Sequence, residues 1–115
     1  LVFHLLELNS FALQAALNGG GDVLQDDRHL KHYASPDFWE LFYRLPDDIQ
    51  LLAKKNYELL KQNPRYPSLH FKKVKSPYWS VRVSADYRAL AIQDTPNEFD
   101  WIWIGTHAQY NRLIR

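Results

Sequence analysis

Between residues 68 and 105, four stretches alternate apolar and polar side chains with a period of two, separated only by turn-length links. They are SLHFKKV (68–74), YWSVRVS (78–84), YRALAIQ (87–93) and FDWIWIG (99–105). Period two is the mark of strands, whose successive side chains point to opposite faces. The links KSP, AD and DTPNE are too short for a crossover and carry turn-forming Pro, Asp and Asn. Such links predict an antiparallel meander. Helices that precede the meander then pack on one face of that sheet.

Upstream the period changes to that of a helix. In SPDFWELFYRL, Ser35 can cap, Pro36 fits the first turn, and Asp37 and Glu40 complement the positive helix end. Phe38, Leu41 and Phe42 form its apolar stripe. Leu45-Pro46-Asp47-Asp48 ends this helix and starts a second, which presents Ile49, Leu52, Ala53, Tyr57 and Leu60 to the core before Pro64 and Pro67 stop it. RHLKHYA (28–34) alternates well enough for a first strand. The closing THAQYNRLIR reads as at most a short helix or tail. The order is β-α-α-β-β-β-β: an α+β domain with a two-helix hairpin packed on one face of a curved antiparallel sheet.

This domain spans residues 28–115. Residues 1–27 read as an N-terminal appendage. Leu5, Leu6, Leu8, Leu13, Ala16 and Leu17 have loosely helical spacing, Gly19-Gly20-Gly21 ends it, and an acidic DVLQDD link follows. An accessory segment and translation upstream of the true start both fit it. At 115 residues the chain supports one modest core. It has no cysteine, so it holds neither a disulfide framework nor a thiolate zinc site, which suits a reducing cytoplasm. No apolar run approaches the roughly 18 residues of a membrane span.

The net charge of +1 conceals an asymmetry. Residues 1–27 carry four acids and no Lys or Arg, net −4. Residues 28–115 carry fourteen bases against nine acids, net +5. Between Arg65 and Arg88 six bases (Arg65, Lys72, Lys73, Lys75, Arg82, Arg88) face one acid, Asp86. Such a cluster attracts RNA, DNA or an acidic protein tail; a solvated charged face is the plainer reading.

Alternation places Trp79, Val81 and Val83 on one strand face, toward the helices, and Ser80, Arg82 and Ser84 on the other. It sets Ile102 and Ile104 against Trp101 and Trp103. Both of these sets are too apolar for free exposure, so the sheet must curve enough to bury part of its second face, or a partner must lie there. Arg88 sits among Ala89, Leu90 and Ile92. There its guanidinium needs an acid such as Asp86 or Asp100, a phosphate, or the sheet edge.

Three motifs, LHFKKV (69–74), YWSVRVSADYRAL (78–90) and WIWIGTHAQYNRL (101–113), lie in this order behind a helical hairpin. With these spacings, residues 28–115 resemble the RelE/ParE superfamily, the toxins of type II toxin–antitoxin systems. The resemblance implies the fold derived above, a cytoplasmic protein and a cognate antitoxin partner. For the RelE branch it implies an endoribonuclease acting on messenger RNA, commonly on the ribosome, with no cofactor. By position it gives Arg82 the contact with the scissile phosphate and Arg88 the stabilisation of charge there. His107 falls where active relatives place a histidine or arginine, and Tyr110 near the residue that supports or stacks on the substrate. Lys72 and Lys73 fall where the family is often basic. With Lys75, His70, Tyr87, Trp101 and Trp103 they complete the RNA-binding surface expected from the resemblance and the alternation.

The chemistry has its own logic. RNA cleavage without a metal needs a base for the 2′-hydroxyl proton, cations for the crowded phosphorane and an acid for the leaving 5′-oxygen. Histidine titrates near pH 6.5 and serves either proton step. Arginine offers bidentate donors to phosphate, and aromatic rings stack on unpaired bases. His70 and Tyr87 are the candidates for the second proton carrier. A ParE-like inhibitor of DNA gyrase, and an inactive homologue that only binds an antitoxin, would share the fold without the nuclease residues. The acidic stretch 1–27 either lies over the basic surface, as an antitoxin segment would, or is a disordered leader. A metal site is not expected. His29 and His32 would point to opposite faces of a strand, and the other histidines have no close carboxylate or cysteine companions.

Overall fold

The computed structural model describes residues 30–115; the expected appendage, 1–27, lies outside them. The elements follow in the order β1 (Lys31–Ala34), α1 (Pro36–Phe42), α2 (Asp47–Gln62), a 3-10 turn (Pro67–Leu69), β2 (Lys72–Lys75), β3 (Tyr78–Ser84), β4 (Tyr87–Thr95), β5 (Glu98–Thr106) and α3 (His107–Ile114). Five strands form one sheet in the order β1-β5-β4-β3-β2. β2 to β5 make the expected antiparallel meander, whereas β1 joins the far edge parallel to β5. The sheet is therefore mixed. The helical hairpin carries the chain from the β1 edge to the β2 edge, and that return leaves β1 running with β5.

The α1–α2 hairpin forms for the local reasons read from sequence. Ser35 Oγ accepts from the Phe38 N–H at 3.2 Å with Pro36 in the first turn, a cap worth about 1 kcal/mol. α1 packs on β5 and α2 on β3. The buried residues of α1 are Trp39 and Phe42, with Phe38 and Leu41 only partly covered. On α2, Ile49, Ala53 and Tyr57 pack against the core and Leu60 is buried, but Leu52 lies at the edge of the stripe and is exposed. Asn56 donates from Nδ2 to the carbonyl of Val83 at 2.7 Å, which pins α2 where the β3–β4 register shifts.

Strand limits correct the sequence reading at one place. The predicted strand 68–74 begins at Lys72, because Pro67 starts a 3-10 turn that drives Leu69 fully into the core. His70 caps that turn with φ 47°, a left-handed conformation that His tolerates better than most side chains.

Two features position the second face of the sheet. The first is a bulge in β5. Leu90 pairs with Trp103 and Ala91 with Trp101, so Ile102 is an extra residue and the alternation reverses across it. Phe99 and Trp101 face the helices before the bulge; Ile104 does so after it. Trp101 and Trp103 thus lie on opposite faces, against the expectation that they share one. The second is real curvature. Ser80 and Leu90, in one cross-strand row with Trp103, are buried on the face away from the helical hairpin. The expected partial burial of this second face is what the structure shows.

Candidate active site

The site is built on the row Arg82–Arg88–Gly105, paired in register across β3, β4 and β5. Val81, Val83, Ala89 and Ile104 flank the row and all point into the core. The row itself therefore faces the opposite side, the face away from α1 and α2. Lys72 pairs with Ser80 and Lys75 with Tyr78, which puts both lysines on that face. Lys73 pairs with Trp79, a residue packed on the core, and so belongs to the other face.

Gly105 lets α3 close down on this row. A Cβ there would stand 2.5 Å from Trp103 Cζ2 and 2.6 Å from Gln109 Oε1. α3 then starts with a capping box. The Gln109 N–H donates to Thr106 Oγ1 at 3.2 Å, and the Thr106 N–H donates to Gln109 Oε1 at 3.0 Å. The His107 N–H donates to the Asp86 carbonyl at 2.7 Å, tying the helix start to the β3–β4 turn. At its other end, Lys75 Nζ donates to the Arg115 carbonyl at 3.0 Å. α3 is thereby held at both ends, one turn of it beside the arginine row.

The helix presents His107 and Tyr110 side by side, with ring centroids 5.9 Å apart. Tyr110 stands near enough to Arg88 to interact electrostatically with its guanidinium. Burial first, and the neighbouring Arg82 charge second, push the Arg88 pKa down. Two guanidinium groups lie in adjacent register positions, with the Asp86 charge near enough to oppose part of the shift on Arg88; a pair of this kind suits an anion. Arg88 is braced by Nη1, which donates to the carbonyls of Ser84 and of Tyr87 (2.9 Å). Among the described residues neither arginine makes an ion pair. The expected alternative bridge from Arg88 to Asp86 or Asp100 is therefore replaced by backbone carbonyls of the turn.

Sequence reasoning missed Asn111, whose amide nitrogen lies 3.1 Å from His107 Nδ1. With that amide donating, the neutral ring carries its proton on Nε2 and leaves that atom for exchange. The i,i+4 spacing from His107 was the available signal. Arg82, Arg88, His107, Tyr110, Lys72, Lys75 and Trp103 are thus brought to one face. Four expected members are not. Trp101 is a core residue, 5% exposed, and its Nε1 donates to His32 Nδ1 at 3.1 Å. Tyr87 packs against the core, Lys73 lies on the other face, and His70 is exposed on the turn before β2. Among the described residues no group of three His, Cys, Asp or Glu side chains could hold a metal ion. No described helix is long and apolar enough to cross a membrane.

The family described as the ParE-like toxin domain matches residues 47–112, more than half of the chain. The chain belongs to the ParE-like toxin domain family. Solved toxin structures share the fold of this ParE-like chain. The RelB–RelE antitoxin–toxin complex from Methanococcus jannaschii aligns at 16% identity over 71% of this chain and 98% of that one, with TM-score 0.55. A YoeB/ParE toxin from Agrobacterium tumefaciens aligns at 16% identity over 68% and 99%, with TM-score 0.53. A copper-bound mutant toxin from Helicobacter pylori aligns at 18% identity over 70% and 97%, with TM-score 0.51. No curated protein sequence matches. The ParE-like chain is thus a toxin-type member of the RelE/ParE superfamily.

Proposed function

We propose that this toxin is a metal-independent endoribonuclease that partners a cognate antitoxin and cuts messenger RNA, free or on the ribosome. The observation that carries the reading is the unpaired Arg82–Arg88 row with His107 and Tyr110 set beside it by α3. The two guanidiniums bind the scissile phosphate and stabilise the extra negative charge of the phosphorane. The 2′-oxygen bonds to phosphorus, the bond from phosphorus to the 5′-oxygen breaks, and a 2′,3′-cyclic phosphate and a 5′-hydroxyl result. His107 Nε2 exchanges a proton in this sequence, Tyr110 and Trp103 offer stacking surfaces, and Lys72 and Lys75 hold the flanking backbone. The antitoxin is inferred from the family and from the likeness to the RelB–RelE complex.

The test uses purified full chain and a single-stranded RNA, in EDTA for the free RNA and in magnesium buffer when ribosomes are added. Cleavage should fall about a hundredfold or more in Arg82→Ala and in His107→Ala, with unchanged circular dichroism. Full activity in a folded His107→Ala protein would remove the assignment. A second reading, a protein that inhibits DNA gyrase, is favoured by the ParE-like family match and by the placement of the two expected second proton carriers, His70 on the turn before β2 and Tyr87 against the core. In that case supercoiling by gyrase is inhibited and RNA stays intact.

A further inference from the structure

His107 has two ring nitrogens, and a proton step at one of them makes a demand on the other. A proton that comes and goes at Nε2 links the charged ring to the neutral ring with its hydrogen on Nδ1. In both of these forms Nδ1 is a donor and needs an acceptor. At rest the arrangement is the reverse. The Asn111 amide nitrogen stands 3.1 Å from Nδ1, and its donation keeps the hydrogen of the neutral ring on Nε2. The neighbouring elements carry other titratable or charged groups: Tyr110 on α3, Arg82 on β3, Arg88 on β4 and Asp86 in the β3–β4 turn. Among the described residues none of these hydrogen-bonds to the ring, and the Asn111 amide is the one side chain that does.

We propose that Asn111 is a positioning residue that matches His107 in each of its forms, an inference that rests on the nuclease reading. At rest Nδ2 donates to Nδ1. When Nε2 takes part in cleavage, the amide turns over about its last bond and Oδ1 accepts from Nδ1–H. An amide serves both forms because it carries a donor and an acceptor at one end. The turn breaks no covalent bond, and the proton moved at Nε2 is the one exchanged in the cleavage. The surroundings permit it. The capping box and the Asp86 carbonyl hold the first turn of α3, and the i,i+4 spacing keeps the two side chains adjacent. Asn111 is exposed and has no other side-chain hydrogen bond among the described residues, so the amide turns without disturbing a neighbour. A carboxylate in its place would only accept, and would favour the charged ring.

The test reads the ring directly. Nitrogen-15 NMR follows the His107 ring in the full chain without RNA, above the pH at which the ring loses its charge. The parent should carry its hydrogen on Nε2. Asn111→Asp should carry it on Nδ1, with the ring titrating about one unit higher than in the parent. RNA cleavage gives the second readout, in variants whose circular dichroism matches the parent. Asn111→Leu should lose about tenfold in kcat with KM within about twofold. Asn111→Asp, which restores an acceptor, should recover most of that kcat, with a higher KM because its carboxylate repels the phosphates. Parent kcat in Asn111→Leu, or the parent's ring form in Asn111→Asp, would overturn the proposal. RNA left intact by parent and variants alike would remove the nuclease reading instead, and the ring spectra would still decide whether residue 111 sets the form of His107.

Discussion

At the residue scale, two positions tie the candidate site to stability, Arg88 through hydrogen bonds and Gly105 through space. Arg88 donates to carbonyls of the β3–β4 turn as well as pairing in register with Arg82. Arg88→Ala should therefore lower stability by about 1–2 kcal/mol in urea unfolding, whereas Arg82→Ala, with no such bonds, should leave it within about 0.5 kcal/mol. Equal stabilities would show that the turn does not depend on the guanidinium. Gly105 is needed for space, since its φ is not positive. An added methyl must displace the Trp103 ring or the Gln109 amide that caps α3. Gly105→Ala should cost about 1–3 kcal/mol, and a Trp103→Phe background should remove a good part of that cost. An unchanged penalty in that background would place the strain elsewhere.

At the element scale, α3 delivers His107 and Tyr110, and its start depends on one hydroxyl. Thr106→Ala removes the cap oxygen from the Gln109 N–H. It should cost about 1 kcal/mol and raise exchange of the α3 amides while β4 and β5 stay protected. Exchange unchanged along α3 would show that the Asp86 carbonyl alone holds the helix start. The elements that sequence revealed are those with a strong local signal. Alternation marked β3 and β4, and Ser35-Pro36 marked α1. What stayed hidden depends on partners distant in sequence. The bulge at Ile102 is visible only once β4 is paired, and it alone sends Trp101 to the core and Trp103 to the face of the Arg82–Arg88 row. The direct pairing of Arg82 with Arg88 was not legible: a plain two-residue turn sets Arg82 opposite Ala89, and the register shift between Arg82 and Ser84 brings Arg88 there instead. The parallel seating of β1, set by where the hairpin returns the chain, was not legible either.

At the scale of the whole molecule, the seam between helices and sheet contains a titratable group. His32 of β1 is buried, 2% exposed, stacked on Phe99, edge-on to Tyr57 of α2, and accepts from the Trp101 indole. Burial, with the charge of Lys61 second, lowers its pKa from 6.5 to about 4. The sign follows directly. Above pH 6.5 both folded and unfolded chains keep the ring neutral, and the histidine does not change stability. As pH falls from 6.5 toward 4 the unfolded chain takes up a proton that the folded chain refuses, so stability is lost, reaching about 3 kcal/mol near pH 4 and levelling below it. Asp100 acts the other way. Burial, and then the charge of Asp94, raise its pKa, so its cost to the fold is relieved on acidification through the carboxylate range. The net loss should therefore appear chiefly between pH 6.5 and 5. Urea unfolding at half-unit pH steps checks this. His32→Gln, which keeps an acceptor for the indole and does not titrate, should flatten the profile in that window; a profile as steep as the parent's would mean that another group governs the acid sensitivity of the seam.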